Sequence, residues 1–223
     1  MTAFFSKIFQ YILMATQKYN IDESHGLSHA MNVLVFAQDI YQSEIIKSPD
    51  LEKHKNIIYT AALLHDMCDK KYMDEIKGIV EMEKFIMGPE TDITSADPSQ
   101  QIPDISIQPL TTDDMQAVKQ IILTMSYSKV KVKGFPSLGE YQHAYHIVRE
   151  ADLLAAYDFD RCMVYHMKTR GYDGAFACAE ELFKNRVLRH NEDGLFITDY
   201  SKTLSKSLHR QALHRIETWR KLM

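Results

Sequence analysis

Four residues of ligand type sit where the apolar pattern otherwise predicts core: His29, His65, Asp66 and Asp152. His65 closes an apolar helical face made of Ile57, Ile58, Ala61 and Leu64, and Asp66 follows it directly. Asp152 lies on the stripe Tyr145, Val148 and Ala155, and His29 stands at the opening of the helix after HGLS. A carboxylate on a buried stripe is costly unless it is paired, hydrogen-bonded or metal-bound. Two imidazoles and two carboxylates balance the charge of one divalent cation. Nitrogen and oxygen donors without thiolate suit Mn, Fe, Co, Ni, Mg or Zn and do not choose among them. Taken singly, each histidine also fits a hydrogen-bonded core residue, and each aspartate a helix cap or an ion-pair partner.

The elements that must position these residues read as helices. Phe4, Phe5, Ile8, Ile12 and Leu13 recur at helical spacing, as do Ala30, Val33, Leu34, Ala37, Ile40 and Tyr41. Further helices are expected at about 73–87, 112–126, 140–156, 158–170, 173–189 and 198–222, with Gly171 and Gly194 as punctuation. No strand set, internal repeat or low-complexity tract competes. The expectation is an all-α fold, one compact multi-helix bundle over 1–223. Two segments break the pattern. Residues 88–111 hold four of the six prolines and form a loop of a length typical of lids and insertions. In 127–140, Lys129, Lys131 and Lys133 alternate with Val130 and Val132; an extended chain there puts three ammonium groups on one side, for solvent or for phosphate.

Three segments, HGLSHAMNVLVFAQDI (25–40), AALLHDMCDKKY (61–72) and IVREADLLAAYDFD (147–160), resemble the HD superfamily of metal-dependent phosphohydrolases. The shared pattern is a histidine at the start of one helix, a His-Asp pair ending another, and a distant aspartate. The likeness spans roughly 20–160, and the tail from Leu182 to Trp219 looks like the C-terminal helices of small members. It implies His29, His65, Asp66 and Asp152 as ligands of one divalent metal, and hydrolysis of a phosphate ester, with a nucleotide as the expected small-molecule substrate. A nucleotide phosphodiesterase, or a metal-containing binding module without turnover, are the alternatives. No histidine lies between Asp66 and Tyr141, and only His143 and His146 precede Asp152. The further histidines of the two-metal members are therefore missing, which favours a single ion. The Gly-Tyr-Pro signature of the cyclic-dinucleotide subfamily is absent too.

Around the ligands, Asp69 falls three residues after Asp66 and, on a continuing helix, shares its face, placed to exchange protons with water or a leaving oxygen; the alternative is an exposed acid at a helix end. The Asp-x-Lys of similar proteins suggests that Lys71 neutralises phosphate, with a surface lysine as the alternative. His25, Lys70 and Lys129 are the candidates for substrate contact.

Composition sets the outer limits. The chain has 223 residues, 45% of them hydrophobic, and a net charge of −4, which argues against binding to duplex nucleic acid. Cys68, Cys162 and Cys178 are odd in number and far apart, without CxxC spacing, so no disulfide framework is expected and a reducing compartment fits. No run reaches the roughly 20 apolar residues of a membrane span. Lys7, Gln10 and Gln17 interrupt the apolar start, so it reads as a core helix rather than a signal peptide, and a cytoplasmic location is expected.

Overall fold

The computed structural model describes residues 3–88 and 110–223, and among them every regular element is helical. The chain runs through α1 (Ala3–Lys18), α2 (Leu27–Ile45), α3 (Lys55–Leu64), α4 (Glu75–Met87), α5 (Thr112–Thr124), α6 (Tyr127–Lys133), α7 (Gln142–Ala155), α8 (Phe159–Arg170), α9 (Tyr172–Asn185) and α10 (Asp199–Leu222), with short 3₁₀ turns between some of them. The all-α expectation holds. Most of segment 88–111, with the lid reading attached to it, lies outside the described residues.

The bundle is organised around α3. Every residue from Ile57 to Leu64 is buried, so this helix is apolar all round, as a helix surrounded by others must be. It packs against α1, α2, α5 and α7, and α7 lies along α2. α2 turns His29, Ala30, Val33, Leu34, Ala37, Ile40 and Tyr41 inward on one face. His29 is therefore part of the apolar stripe that packs the helix. α1 covers one flank with Phe4, Phe5, Ile8, Tyr11, Ile12 and Ala15. Leu13, expected on that stripe, is 55% exposed and Tyr11 takes its place, because Leu13 lies about 100° around the helix from Ile12.

Local sequence explains the helix ends. Thr111 and Asp114 form a reciprocal capping box at the start of α5: the Asp114 amide donates to Thr111 Oγ1 (3.1 Å) and the Thr111 amide to Asp114 Oδ2 (2.9 Å). Gly171, at φ 78°, closes α8 and opens α9 in a backbone conformation that side chains disfavour. α10 begins at Thr198, where a buried glutamate from α7 finishes the cap. Glu150 is fully enclosed and accepts from the Ile197 amide (2.7 Å), the Thr198 amide (3.2 Å) and Thr198 Oγ1 (2.7 Å).

Residues 127–133 depart from the extended reading. They are helical as α6, whose first turn is closed by the Lys129 and Val130 amides on Ser126 O, with Gly134 (φ 72°) ending it. Val130 is buried while Val132 is 82% exposed. The lysines are not on one side: Lys129 pairs with Glu75 (2.6 Å) and Lys131 with Asp193 (2.7 Å). Cys68, Cys162 and Cys178 are all free thiols. No helix among the described residues is long and apolar enough to cross a membrane.

Candidate metal centre

Three elements bring the ligand-type residues together. α2 supplies His29 from its first turn, the end of α3 supplies His65 and Asp66, and the last turn of α7 supplies Asp152. His29 Nε2 lies 3.2 Å from His65 Nε2 and 3.3 Å from Asp66 Oδ2. His65 Nε2 is 3.2 Å from the same Asp66 oxygen. Asp152 Oδ1 stands 3.5 Å from His29 Nε2 and 3.6 Å from His65 Nε2. The two imidazoles are buried, while Asp66 keeps 14% and Asp152 24% of its side chain exposed toward a pocket.

The donor set can be read atom by atom. His65 Nδ1 is 2.8 Å from the Ala62 carbonyl, which can only accept, so Nδ1 carries the hydrogen. In the neutral ring, Nε2 then presents a bare lone pair to His29 and the carboxylates. Such a hydrogen bond fixes the tautomer of a metal-binding histidine. Without a cation the cluster resolves its excess of acceptors with a proton. Burial opposes charge on His65, but Asp66 first and Asp152 after it outweigh this and raise the ring to about 9. Burial likewise works against the charged form of Asp66, yet the two histidines hold its carboxyl well below the usual range. His29, His65 and Asp66 form a buried group that could hold a metal ion, and no second such group occurs among the described residues. Their nitrogen and oxygen donors fit a metal ion.

Above this group lies a pocket of about 170 Å³. Asp69, Lys71 and His25 all reach it, although α3 does not continue to carry Asp69. The chain instead leaves α3 as turns. The Asp69 amide meets Asp66 O at 3.3 Å, and Asp69 Oδ1 accepts from the Lys71 amide at 2.8 Å. Lys71 Nζ donates to His25 Nε2 (3.1 Å), which requires the other ring nitrogen of a neutral His25 to carry the hydrogen. That Nδ1–H faces Ser24 Oγ at 2.7 Å. Ser24 Oγ in turn donates to Asp22, as does Tyr72 OH at 2.6 Å. Burial, then Lys71 and Arg161, lower the His25 pKa against the pull of Asp66, so the ring is neutral near pH 7.

Of the remaining candidates, Lys70 and Lys129 line a neighbouring pocket of about 130 Å³. Lys129 is tied to Glu75 and to the Leu123 carbonyl (2.7 Å). His143 faces Glu44 and His146 faces Gln142, away from the ligand group. Sequence reasoning did not single out Asp22, Tyr72, Arg161 or Arg186. The signal for Arg161 was at hand, since it directly follows the segment ending at Asp160; the pairing of Asp22 with Tyr72 joins residues 50 apart and has no periodic signature.

Fold and site together define an all-helical protein with a buried His/His/Asp group able to hold a metal ion. No protein-family model, curated protein or solved structure matches this chain.

Proposed function

We propose that this protein is a metal-dependent phosphohydrolase of the HD type, acting on a phosphorylated small molecule of which a nucleotide is the leading candidate. The observation that carries the reading is the buried group of His29 Nε2, His65 Nε2 and Asp66 Oδ2, with Asp152 Oδ1 3.5 and 3.6 Å from the two imidazoles, at a pocket that also contains Lys71, a lysine with no carboxylate partner among the described residues. Those four side chains would hold the ion. A bound divalent cation supplies activation of water and polarisation of a phosphoryl oxygen.

The chain's own residues supply the rest. In hydrolysis a water oxygen bonds to phosphorus, the phosphorus–oxygen ester bond breaks, and the leaving oxygen gains a proton. Of the two pocket carboxylates outside the ligand group, Asp158 caps α8, and Asp69 takes the water's proton and returns one to the leaving oxygen. Lys71 offsets the charge that builds on the phosphoryl oxygens. His25, held neutral with its Nε2 accepting from Lys71, keeps the ammonium over the pocket. Leu153, Phe183 and Val187 give one wall an apolar character suited to the organic part of a substrate.

The deciding experiment is metal analysis of chelator-free protein combined with a phosphate-release screen over nucleotides and simple phosphomonoesters. Metal-dependent release that disappears in His65→Ala and Asp66→Ala is expected. Stoichiometric metal without turnover on any member would leave a binding module; turnover only on phosphodiesters would move the reading to that class.

A further inference from the structure

Three cations border the pocket above the ligand group, Lys71 from the turn after α3, Arg161 from α8 and Arg186 at the end of α9. Most other basic groups near the site are neutralised: Lys129 by Glu75, Lys131 by Asp193, Arg189 by Asp193. Among the described residues, neither Arg161 nor Arg186 has a carboxylate within 4.0 Å of its guanidinium. The other aspartates of the pocket are committed elsewhere, Asp158 to the Arg161 amide (3.0 Å) at the start of α8 and Asp69 to the Lys71 amide.

Both guanidiniums are held in place by uncharged partners. Arg161 Nη1 donates to the Ser24 carbonyl at 2.5 Å, and the Arg186 guanidinium carbon sits 4.6 Å over the Tyr127 ring. Stacking on an aromatic face fixes the plane of a guanidinium while leaving its edge N–H groups free to donate. The two line one pocket together with Cys162, whose thiol burial pushes up to about 12 while both arginines pull the other way. Arg186 also borders the neighbouring pocket that holds Lys70 and Lys129, together with Lys71, Asp66 and Asp152. It therefore stands at the junction of two cavities that meet at the ligand group.

Resting on the phosphohydrolase reading, we infer that Arg161 and Arg186 form an anion subsite beside the metal group that holds a second phosphoryl group of the substrate. Lys71 and the metal group receive the phosphoryl unit that reacts. The arginines receive its neighbour, for which a bidentate guanidinium is the better fit. They act as specificity-determining residues, favouring substrates with two linked phosphoryl groups over simple monoesters.

The test is calorimetric binding of inorganic phosphate and inorganic pyrophosphate to the metal-loaded protein, with free metal buffered, alongside Arg161→Gln, Arg186→Gln and Arg186→Lys. Pyrophosphate is expected to bind at least tenfold more tightly than phosphate. Each Gln variant should weaken pyrophosphate by roughly tenfold, the scale of one charge-assisted hydrogen-bonding group, and phosphate by no more than about twofold. Arg186→Lys keeps the charge without the fork and should fall between. Melting curves within about 2 °C of wild type establish that the variants fold; a variant that fails this is replaced by the Lys substitution at the same position. Equal binding of the two anions, or pyrophosphate binding indifferent to both arginines, overturns the subsite. Arginine-dependent pyrophosphate binding in a protein that releases phosphate from nothing would leave the subsite standing and remove the phosphohydrolase reading. Monoester turnover with indifferent arginines would do the reverse.

Discussion

His65 Nε2 and His29 Nε2 face each other across 3.2 Å, and the Ala62 carbonyl holds the only hydrogen of a neutral His65 on the far side of its ring. Asp66 Oδ2 and Asp152 Oδ1 each lie within 3.6 Å of both nitrogens. A cluster with this surplus of lone pairs calls for a cation or a proton, and the expected occupant in the working protein is one divalent ion.

Metal removal should therefore cost stability. An ion present at a hundredfold its Kd stabilises the folded state by about 2.7 kcal/mol, which for a chain of this size is a fall in Tm of roughly 5–10 °C on chelation. Elemental analysis should find one ion per chain. Asp152→Ala should show little chelator response; a full response in that variant would take Asp152 out of the ligand set, and two tightly bound ions would end the single-metal reading.

Asp69 and Lys71 should separate from the ligands in kinetics. Asp69→Asn leaves the four donors in place but removes the carboxylate assigned to proton transfer. Turnover should drop by roughly 10²–10⁴, the usual worth of a general acid or base, with metal content unchanged. Lys71→Ala should raise KM more than it lowers metal content. Near-normal turnover in metal-loaded Asp69→Asn would make Asp69 a turn-forming acid, consistent with its bond to the Lys71 amide, and would pass the proton role to His25.

The helices were legible because their burial follows period and composition: α3 is an unbroken apolar run, and α2 and α7 carry clean stripes with His29 and Asp152 in or beside them. The buried group of His29, His65 and Asp66 was legible for the same reason, since polar ligand types on apolar faces stand out. Alternation misled at α6, where a lysine–valine repeat of five residues is too short to show its period and is settled by Glu75 and Asp193 reaching in from other segments. Arg161 and Arg186 were invisible as a pair because 25 residues and a helical hairpin separate them; only packing brings both to one pocket.

The buried pair Arg149–Glu150 should answer asymmetrically to mutation. Glu150 accepts four hydrogen bonds, one of them from Arg149 Nη2 at 3.2 Å, and completes the cap of α10. Glu150→Ala leaves a buried guanidinium uncompensated and should lose about 3–5 kcal/mol. Arg149 already has Nε and Nη1 without a partner and lies 4.7 Å over the Phe135 ring. Arg149→Met should therefore cost clearly less. Urea denaturation of both variants checks the order; a larger loss for Arg149→Met would show that the Leu195 carbonyl bond (2.5 Å) dominates this knot.

Acid should destabilise the fold through histidines that are buried neutral. His190 is fully enclosed with neither ring nitrogen hydrogen-bonded, and burial, with Arg186 adding to it, lowers its pKa to about 3. His146 is lowered to about 4 by burial and then Arg149. Each titrates below its unfolded value of about 6.5, so between those limits the unfolded chain binds protons that the folded chain does not. Stability must then fall as pH drops from about 6.5 toward 4, by up to about 1.4 kcal/mol per pH unit for each group. His190→Phe keeps the ring contacts with Tyr127, Tyr157 and Phe196 and removes the titration. Urea midpoints of chelator-treated wild type and variant, taken from pH 7 to 4.5, cancel the contributions that the two proteins share. The variant should gain on wild type steadily as pH falls. A difference that stays constant across that range would mean His190 finds a proton partner inside the fold and contributes nothing to acid sensitivity.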